Sequence, residues 1–439
     1  MLTLTTDGAA GTVTGSRHLL TRGNQRILIN CGLFQGFKYL RDLNRAPFPV
    51  EPGSIGAVVL THAHLDHCGY LPKLVADGFR GPIYATPATR EVAEIILRDS
   101  GHIQEKEAEY ANRKGFTRHK PARPLYGVKK AERALQAFVV VDFHAPTTIL
   151  GDAELIYRHA GHILGAATAT ISWAGRKIAF SGDLGRYGDE VMIDPEPVEE
   201  ADHVVIESTY GNRRHDQTDP VKALAALISR AAARGGTIVI PSFAVGRAQS
   251  LLYYIAKLKQ DGRFRNLPVF LDSPMAIDAS ELLCAHPDDH RMCADICRKT
   301  CAIATYVRDV EGSKAIIATP YPKIVISASG MATGGRVLHH IRAFAPDRRN
   351  LILFTGFQAA GTRGRSMVDG ASEVKMFGEW VPVRAEIADL PMLSAHADAD
   401  ELLRWLGGFS APPKRVIIVH GEPDAAEALR VKIGRELGG

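Results

Sequence analysis

Residues 62–67 read His62-Ala63-His64-Leu65-Asp66-His67, four side chains able to bind a metal within six positions. They follow the apolar run Ala57-Val58-Val59-Leu60-Thr61, which is short, rich in β-branched residues and uncharged, as a buried strand is. Behind the cluster, Cys68-Gly69-Tyr70-Leu71-Pro72-Lys73-Leu74-Val75 reads as a turn entering a helix. The four groups therefore sit where a strand ends and a helix begins. Imidazole and carboxylate together suit zinc, manganese or iron. One tight turn cannot aim all four at a single ion, so two ions are the natural reading. Two ions about 4 Å apart share a hydroxide and clamp both oxygens of a displacement at phosphorus. The plain alternative is a histidine-rich surface loop, and four ligand-type residues at this spacing weigh against it.

The rest of the chain is long enough for two or three domains at 439 residues. No apolar stretch approaches a membrane-spanning length. Met1-Leu2-Thr3-Leu4-Thr5-Thr6-Asp7 lacks the basic region and apolar core of a signal peptide. With Cys68 beside the cluster, this leads to the expectation of a reducing cytoplasm and no membrane partner. Cys293, Cys297 and Cys301 are spaced to share one helix face, and small buried residues are the favoured reading over a metal site there. Residues 113–133 hold eight basic side chains (Arg113, Lys114, Arg118, Lys120, Arg123, Lys129, Lys130, Arg133) against Glu132 alone. A solvated face is the common fate of such a run, but beside a metal centre a nucleic-acid partner becomes a real option.

Short strands are expected at residues 11–20, 26–30, 57–61, 155–159, 167–173, 177–180 and 203–207, with residues 91–136 mostly helical. Polar residues collect at the strand ends: His159-Ala-Gly-His162, Ser181-Gly-Asp183 and Glu207. From about residue 211 strands and helices alternate, with Asp219 and Pro220 opening a helix, which implies a parallel sheet covered by helices. After about residue 363 short strands resume, and Val416 to Val419 lead into His420-Gly421.

His62-x-His64-x-Asp66-His67, then His162 and Asp183, resemble the metallo-β-lactamase fold. The resemblance implies that a first metal takes His62, His64 and His162, a second takes Asp66 and His67, and Asp183 bridges. Those matches alone also fit a thioesterase-like hydrolase, an oxidoreductase or an antibiotic hydrolase. Further stretches are similar to the β-CASP nucleases: Glu207-Ser-Thr-Tyr-Gly211, Pro241-Ser-Phe-Ala-Val-Gly-Arg247-Ala-Gln249, Leu271-Asp-Ser-Pro-Met-Ala276, Ser327-Ala-Ser-Gly-Met331 and Ser394-Ala-His396-Ala-Asp398. The motifs cover nearly the whole chain in the family's order, as in relatives of the eukaryotic pre-mRNA 3′-end endonuclease subunit. The implied fold class is α/β: a four-layer αββα metallo-β-lactamase fold with an inserted α/β β-CASP domain, a parallel sheet flanked by helices. Its implied boundaries are 1–208, 209–362 and 363–439.

The resemblance implies a metal-dependent ribonuclease, endo- or exonucleolytic, that hydrolyses single-stranded RNA through a two-metal-activated hydroxide. Two zinc ions are expected, with manganese suiting the same ligands, and the assembly allows a homodimer. In the family His396 marks RNA-processing members and completes the second metal's ligands. Glu207 is expected to orient a site histidine, and Asp66, Glu207, His396 and His420 form the expected catalytic group. Ser242, Phe243, Arg247, Ser329, Gly330, Thr362, Arg363 and Ser394 are the expected substrate contacts. Ser242 would bind phosphate or cap its helix, Phe243 would stack on a base or pack in the core, and Arg247, Arg363 and Arg365 would meet phosphates. The basic residues of 113–133 would wall the channel between the two domains.

Two departures stand out. The family usually has Asp where this chain has Asn30, behind a metal-site histidine; Asn accepts a hydrogen bond there without contributing charge, so metal affinity or rate is expected to be lower. Ser366 stands where eukaryotic members place a histidine, which leaves metal-bound water, His420 or His340 to protonate the leaving oxygen. A small-molecule hydrolase on the same fold and an inactive RNA-binding scaffold are the competing readings. The inserted domain with its Arg-rich turns weighs against the first, and the intact ligand set against the second.

Overall fold

The computed structural model describes residues 1–114 and 121–438. They form two compact units, residues 1–214 with 396–439, and residues 215–395.

In the first unit, β1 (Leu2–Thr6), β2 (His18–Arg22), β3 (Gln25–Ile29), β4 (Ala57–Val59), β5 (Ile83–Ala85) and β6 (Phe138–Val140) form one sheet in chain order. A second sheet holds β7 (Thr147–Leu150), β8 (Ala153–His159), β9 (Ala167–Trp173), β10 (Arg176–Phe180) and β11 (His203–Ile206). The strand Arg415–Ile418 completes its edge beside β11. The inward residues of both sheets make one apolar core, with Ile27, Ile29 and Val59 from one side and Tyr157, Ala169 and Phe180 from the other. Val58 and Leu28 point away from that core and are buried too, so the first sheet is covered on both faces. The helices Leu71–Ala76, Pro87–Lys114 and Val128–Leu135 pack together against it. This is why β4 is apolar at every position rather than at alternate ones.

Some readings of this unit need correction. Residues 7–17 form a loop, and the strand expected at 11–20 begins at His18. The long helix starts at Pro87, not at 91, because proline suits a first helical turn whose N–H has no partner to lose. Strands β1, β5, β6 and β7 were not expected. Of the basic residues in 113–133, Arg118 and Lys120 lie outside the described residues, and the other six are exposed. Among the described residues, no helix is long and apolar enough to cross a membrane.

In the second unit, β12 (Ile238–Pro241), β13 (Val269–Asp272), β14 (Thr305–Tyr306), β15 (Ile324–Ser327), β16 (Leu351–Phe354) and β19 (Glu386–Asp389) form a parallel sheet in the order β14-β13-β15-β12-β16-β19. A separate hairpin pairs β17 (Glu373–Met376) with β18 (Glu379–Pro382). Ile238 and Ile240 face the helices Pro220–Ala233 and Arg247–Gln260, while Val239 faces the helix Val337–Phe344 on the other side. Asp219 caps the first of these helices by accepting from the Val221 and Lys222 amides, with Pro220 at its first position. The expected return to the first domain at 363 falls inside this unit, because β19 pairs with β16 and the chain leaves only after Ala395.

Two further corrections concern buried groups here. Only Cys297 and Cys301 of the expected trio lie on the helix Ala294–Cys301; Cys293 precedes it and is exposed. Cys297 is joined by a disulfide to Cys284 of the helix Pro274–Ala285, so the pair is not two small buried thiols. His340 is wholly buried, with Nε2 2.6 Å from Asp272 Oδ2, in the place of a structural group rather than a proton donor to substrate. The Asp272 carboxylate also accepts from Ser313 Oγ at 2.5 Å and from Arg336 Nη1 at 2.7 Å. Burial pushes its pKa up, but the His340, Ser313 and Arg336 partners outweigh this and hold it below the usual value. Its contribution to stability is therefore present above pH 3.8 and is lost as pH falls through the lower folded-state value. Asp272→Ala takes the acceptor from His340 and Ser313 and the charged partner from Arg336, which keeps only the Val307 and Arg308 carbonyls, and is expected to cost about 3–5 kcal/mol in urea unfolding at neutral pH. A cost under about 1 kcal/mol would show the network to be dispensable.

Candidate metal centre

Strand direction gathers the candidate residues at one edge of each sheet. β3 and β4 are parallel, so Asn30 and Thr61-His62 leave the first sheet side by side. β8, β10, β11 and Arg415–Ile418 run the same way in the second sheet, and from their C-terminal ends come His162, Asp183, Glu207 and His420. The helix Leu65–Cys68 starts immediately after His64 and carries Asp66 and His67. Backbone from elsewhere grips that turn: the Ser16 amide donates to the Asp66 carbonyl at 2.8 Å, and the Cys31 amide to the His67 carbonyl at 2.7 Å. Gly32 passes so close that a Cβ would lie 1.6 Å from the Asp66 carbonyl oxygen, so no larger residue fits. The buried Arg17 guanidinium holds Gly32 in place through two hydrogen bonds to its carbonyl, at 3.0 and 2.9 Å.

Two donor groups result. In the first, His62 Nε2 and His162 Nε2 lie 3.2 and 3.3 Å from His64 Nδ1, and 3.5 and 3.7 Å from Asp183 Oδ2. In the second, His67 Nε2 and Asp66 Oδ2 lie 3.1 and 3.3 Å from His420 Nε2. The donor atoms of each group all lie within 4.8 Å of one another. The other oxygen of Asp183 faces the second group, 3.3 Å from His67 Nε2 and 3.6 Å from His420 Nδ1.

The charge states of the first group suit a divalent ion. Burial pushes His62 and His162 well below the usual imidazole range and takes His64 to about 4, so all three are neutral at pH 7 with lone pairs to offer. Burial works against ionising Asp66 and Asp183, yet His67 and His420 beside them hold both carboxyls below the usual range. His420 goes the other way: burial lowers it, but Asp183, Asp66 and Glu207 raise it to about 9. The neutral imidazoles of His62, His64 and His162 converging on the Asp183 carboxylate form a donor set that zinc, manganese or iron takes.

The structure redistributes two residues. The second group is completed by His420, not by His396. His396 instead sits beside the first group, its ring centroid 4.4 Å from that of His162, with its Nδ1 3.2 Å from Glu207 Oε1. Glu207 is fully buried and its carboxylate is fixed by the Leu184 and Thr209 amides at 2.7 and 3.1 Å. Sequence reasoning overlooked Thr61, Ser16 and Thr209. Thr209 Oγ1 lies 3.2 Å from His420 Nδ1, and Thr61 Oγ1 3.3 Å from His62 Nδ1. Hydroxyls next to strand ends are too common to have signalled this. Asn30 also differs from expectation. Its oxygen is taken by Thr61, and toward His67 it presents its NH2 group, 3.0 Å from Nδ1.

Within the second unit, most of the expected substrate contacts lie in loops after the C-terminal ends of parallel strands. Ser242 and Phe243 follow β12, and Ser329 and Gly330 follow its neighbour β15. A Cβ on Gly330 would lie 2.7 Å from the Phe243 ring, so glycine is what lets the two loops touch. Ser242 Oγ donates to the Phe243 carbonyl at 3.0 Å, and Ser329 Oγ lies 3.0 Å from Thr333 Oγ1. Arg247 is the buried first residue of its helix, and Ser394 is buried. Thr362 caps the helix Arg363–Val368, accepting from the Arg365 amide. Arg363 donates to the carbonyls of Lys375 at 2.7 Å and Thr333 at 3.1 Å, and Arg365 pairs with Asp369. These contacts tie both arginines to neighbouring parts of the second unit. The exposed Ser366 hydroxyl donates to the Thr362 carbonyl of its own helix.

Comparison with known proteins gives matches along most of the chain. Residues 25–237 match the model of the β-lactamase superfamily domain, 248–367 that of the Beta-Casp domain, and 380–439 that of the Zn-dependent metallo-hydrolase RNA specificity domain. The chain is 37% identical over 432 residues to a protein named ribonuclease TTHA0252 from Thermus thermophilus, covering 96% of this chain and 94% of that one. It is 30% identical over 454 residues to a protein named transcription termination factor FttA from Methanosarcina mazei, covering 98% of this chain and 68% of the other. A solved structure of a protein of unknown function from Enterococcus faecalis superposes with a TM-score of 0.55 over 97% of this chain and 95% of that one, at 13% identity, a likeness of fold alone.

Proposed function

Since the chain belongs to the β-CASP branch of the β-lactamase superfamily, we propose that it is a metal-dependent ribonuclease that hydrolyses phosphodiester bonds of single-stranded RNA. The observation that carries this reading is Asp183, whose two oxygens face two separate groups of donors. In this reading one ion is held by His62, His64, His162 and Asp183, and a second by Asp66, His67, His420 and Asp183, zinc being the first choice and manganese suiting the same ligands. Ions so held lower the pKa of water toward about 7 and offset charge at phosphorus.

The chain's own residues do the rest. Glu207 holds His396 by its Nδ1, which turns the opposite edge of the ring outward from that anchor and keeps a proton available for a leaving oxygen. Burial lowers the pKa of His396, but Glu207 and Asp183 outweigh it, so the imidazolium persists to higher pH than usual. The ends of β12 and β15 offer backbone and hydroxyl groups of the kind that bind a phosphate chain. The complete donor set weighs against an inactive scaffold, and the match to an RNA specificity domain weighs against a small-molecule hydrolase.

Elemental analysis of the purified protein, coupled to a gel assay on end-labelled single-stranded RNA with and without chelator, tests the reading. Two ions per chain and chelator-sensitive cleavage are expected. Bound metal without cleavage of RNA would move the assignment to a small substrate, and absence of metal would move it to a scaffold.

A further inference from the structure

Asn30 carries a consequence for the two-ion reading above, and the inference rests on that reading. The residue has φ +59°, a conformation that asparagine adopts more readily than most side chains. Its Oδ1 sits 3.0 Å from the Thr61 amide nitrogen and 3.1 Å from Thr61 Oγ1. A backbone N–H can only donate, so the atom facing it has to be the oxygen. The amide nitrogen is thereby turned the other way, 3.0 Å from His67 Nδ1 and 3.3 Å from Ser16 Oγ. Flipping the amide would set N–H against N–H at Thr61. The orientation of an asparagine amide is often open, but here the backbone fixes it.

An amide hydrogen aimed at His67 Nδ1 requires a lone pair there. A neutral imidazole has one N–H and one lone pair, so the proton of His67 sits on Nε2. Nε2 is the atom that lies 3.1 Å from His420 Nε2 and 3.3 Å from Asp183 Oδ1, where an ion would be held. A protonated Nε2 can donate to the Asp183 oxygen but cannot ligate. Thr61 has the opposite effect on His62. Its Oγ1 gives its hydrogen to Asn30 Oδ1 and so accepts from His62 Nδ1 at 3.3 Å, which leaves the His62 Nε2 lone pair for the first group. The same amide thus favours the ligating tautomer at His62 and opposes it at His67.

We propose that Asn30 makes the two ion sites unequal. The site of His62, His64, His162 and Asp183 fills first. The site of Asp66, His67, His420 and Asp183 fills only at higher divalent-ion concentration, because binding there moves the His67 proton from Nε2 to Nδ1, against the Asn30 amide. Asn30 is a positioning residue that touches His67 and no substrate. A carboxylate in its place would accept from Nδ1–H. Groups of that kind behind a metal-binding histidine change affinity about 10–100-fold.

Two measurements test this. Nitrogen-15 correlation spectra of the histidine rings in the metal-free protein are expected to report His67 protonated on Nε2, and in Asn30→Asp on Nδ1. Titration with zinc against a competing chelating dye is expected to resolve one tight ion and a second bound about 10–100-fold more weakly. Asn30→Asp is expected to close most of that gap while leaving the first ion's affinity in place. His67 protonated on Nδ1 in the unsubstituted metal-free protein overturns the inference, and so do two equal sites there. The ring spectrum decides without the variant, should Asn30→Asp fold poorly. Uptake of no ion by either protein would instead overturn the two-ion reading, and the inference with it.

Discussion

Asp183→Asn is expected to lower RNA cleavage by about three orders of magnitude or more, about 4 kcal/mol of activation barrier. The substitution keeps the shape of the side chain, so the fold should survive. It changes the chemistry at the one point shared by both donor groups. One oxygen becomes an NH2 that can only donate, and the negative charge facing His62, His67, His162 and His420 disappears. Burial already opposes ionisation of this carboxyl, and only the surrounding imidazoles, His420 foremost, hold it well below the usual range. His64→Ala removes a donor from the first group alone and should also abolish cleavage, with RNA binding largely intact, but it should leave the second group able to take an ion. The measurements are single-turnover cleavage of end-labelled RNA and metal content after dialysis. Cleavage by Asp183→Asn within tenfold of the unsubstituted protein would place the chemistry elsewhere.

The metal cluster could be read because its parts are local. A charge-free strand followed within six residues by three histidines and an aspartate leaves few structural alternatives. The parallel sheet of residues 215–395 could be read for a similar reason, since strands alternating with capped helices force that topology. His420 was legible only as a histidine after a strand. Its partner His67 is 353 positions away, and nothing local distinguishes a ligand from a proton donor. Thus His396 and His420 changed places between sequence and structure, although both had been picked out.

Other misses trace to weak local signals. Strands β5 and β6 have three residues each, too few for a period to emerge, and take their identity from neighbours in the sheet. Strand β1 alternates half-buried and exposed side chains, a pattern its sequence Leu2-Thr3-Leu4-Thr5-Thr6 does carry. The stretch after residue 363 looked like the first domain because the hairpin of β17 and β18 shares its style, whereas membership is decided by the pairing of β19 with β16. For Arg363 and Arg365 the sequence shows charge but not the carbonyls and the carboxylate that meet it.

His396→Ala is expected to lower cleavage by about 10²–10⁴-fold, the usual worth of a general acid, while leaving the metal content unchanged. The second half of that expectation separates this residue from the ligands. His396 lies outside both donor groups, its side chain is 16% exposed, and it is anchored by Glu207. Burial alone would lower its pKa, and Glu207 is the largest cause acting to raise it. An acid is competent below its pKa, so the rate should fall as pH rises through the raised value. Glu207→Gln takes away the charge that raises it, so the falling limb should begin at lower pH, with substrate affinity little changed. The amide can still accept from the Leu184 and Thr209 N–H groups only in part, so its thermal stability should be measured alongside. Loss of metal together with activity in His396→Ala would make His396 a ligand after all. An unmoved falling limb in Glu207→Gln would assign the proton to another group.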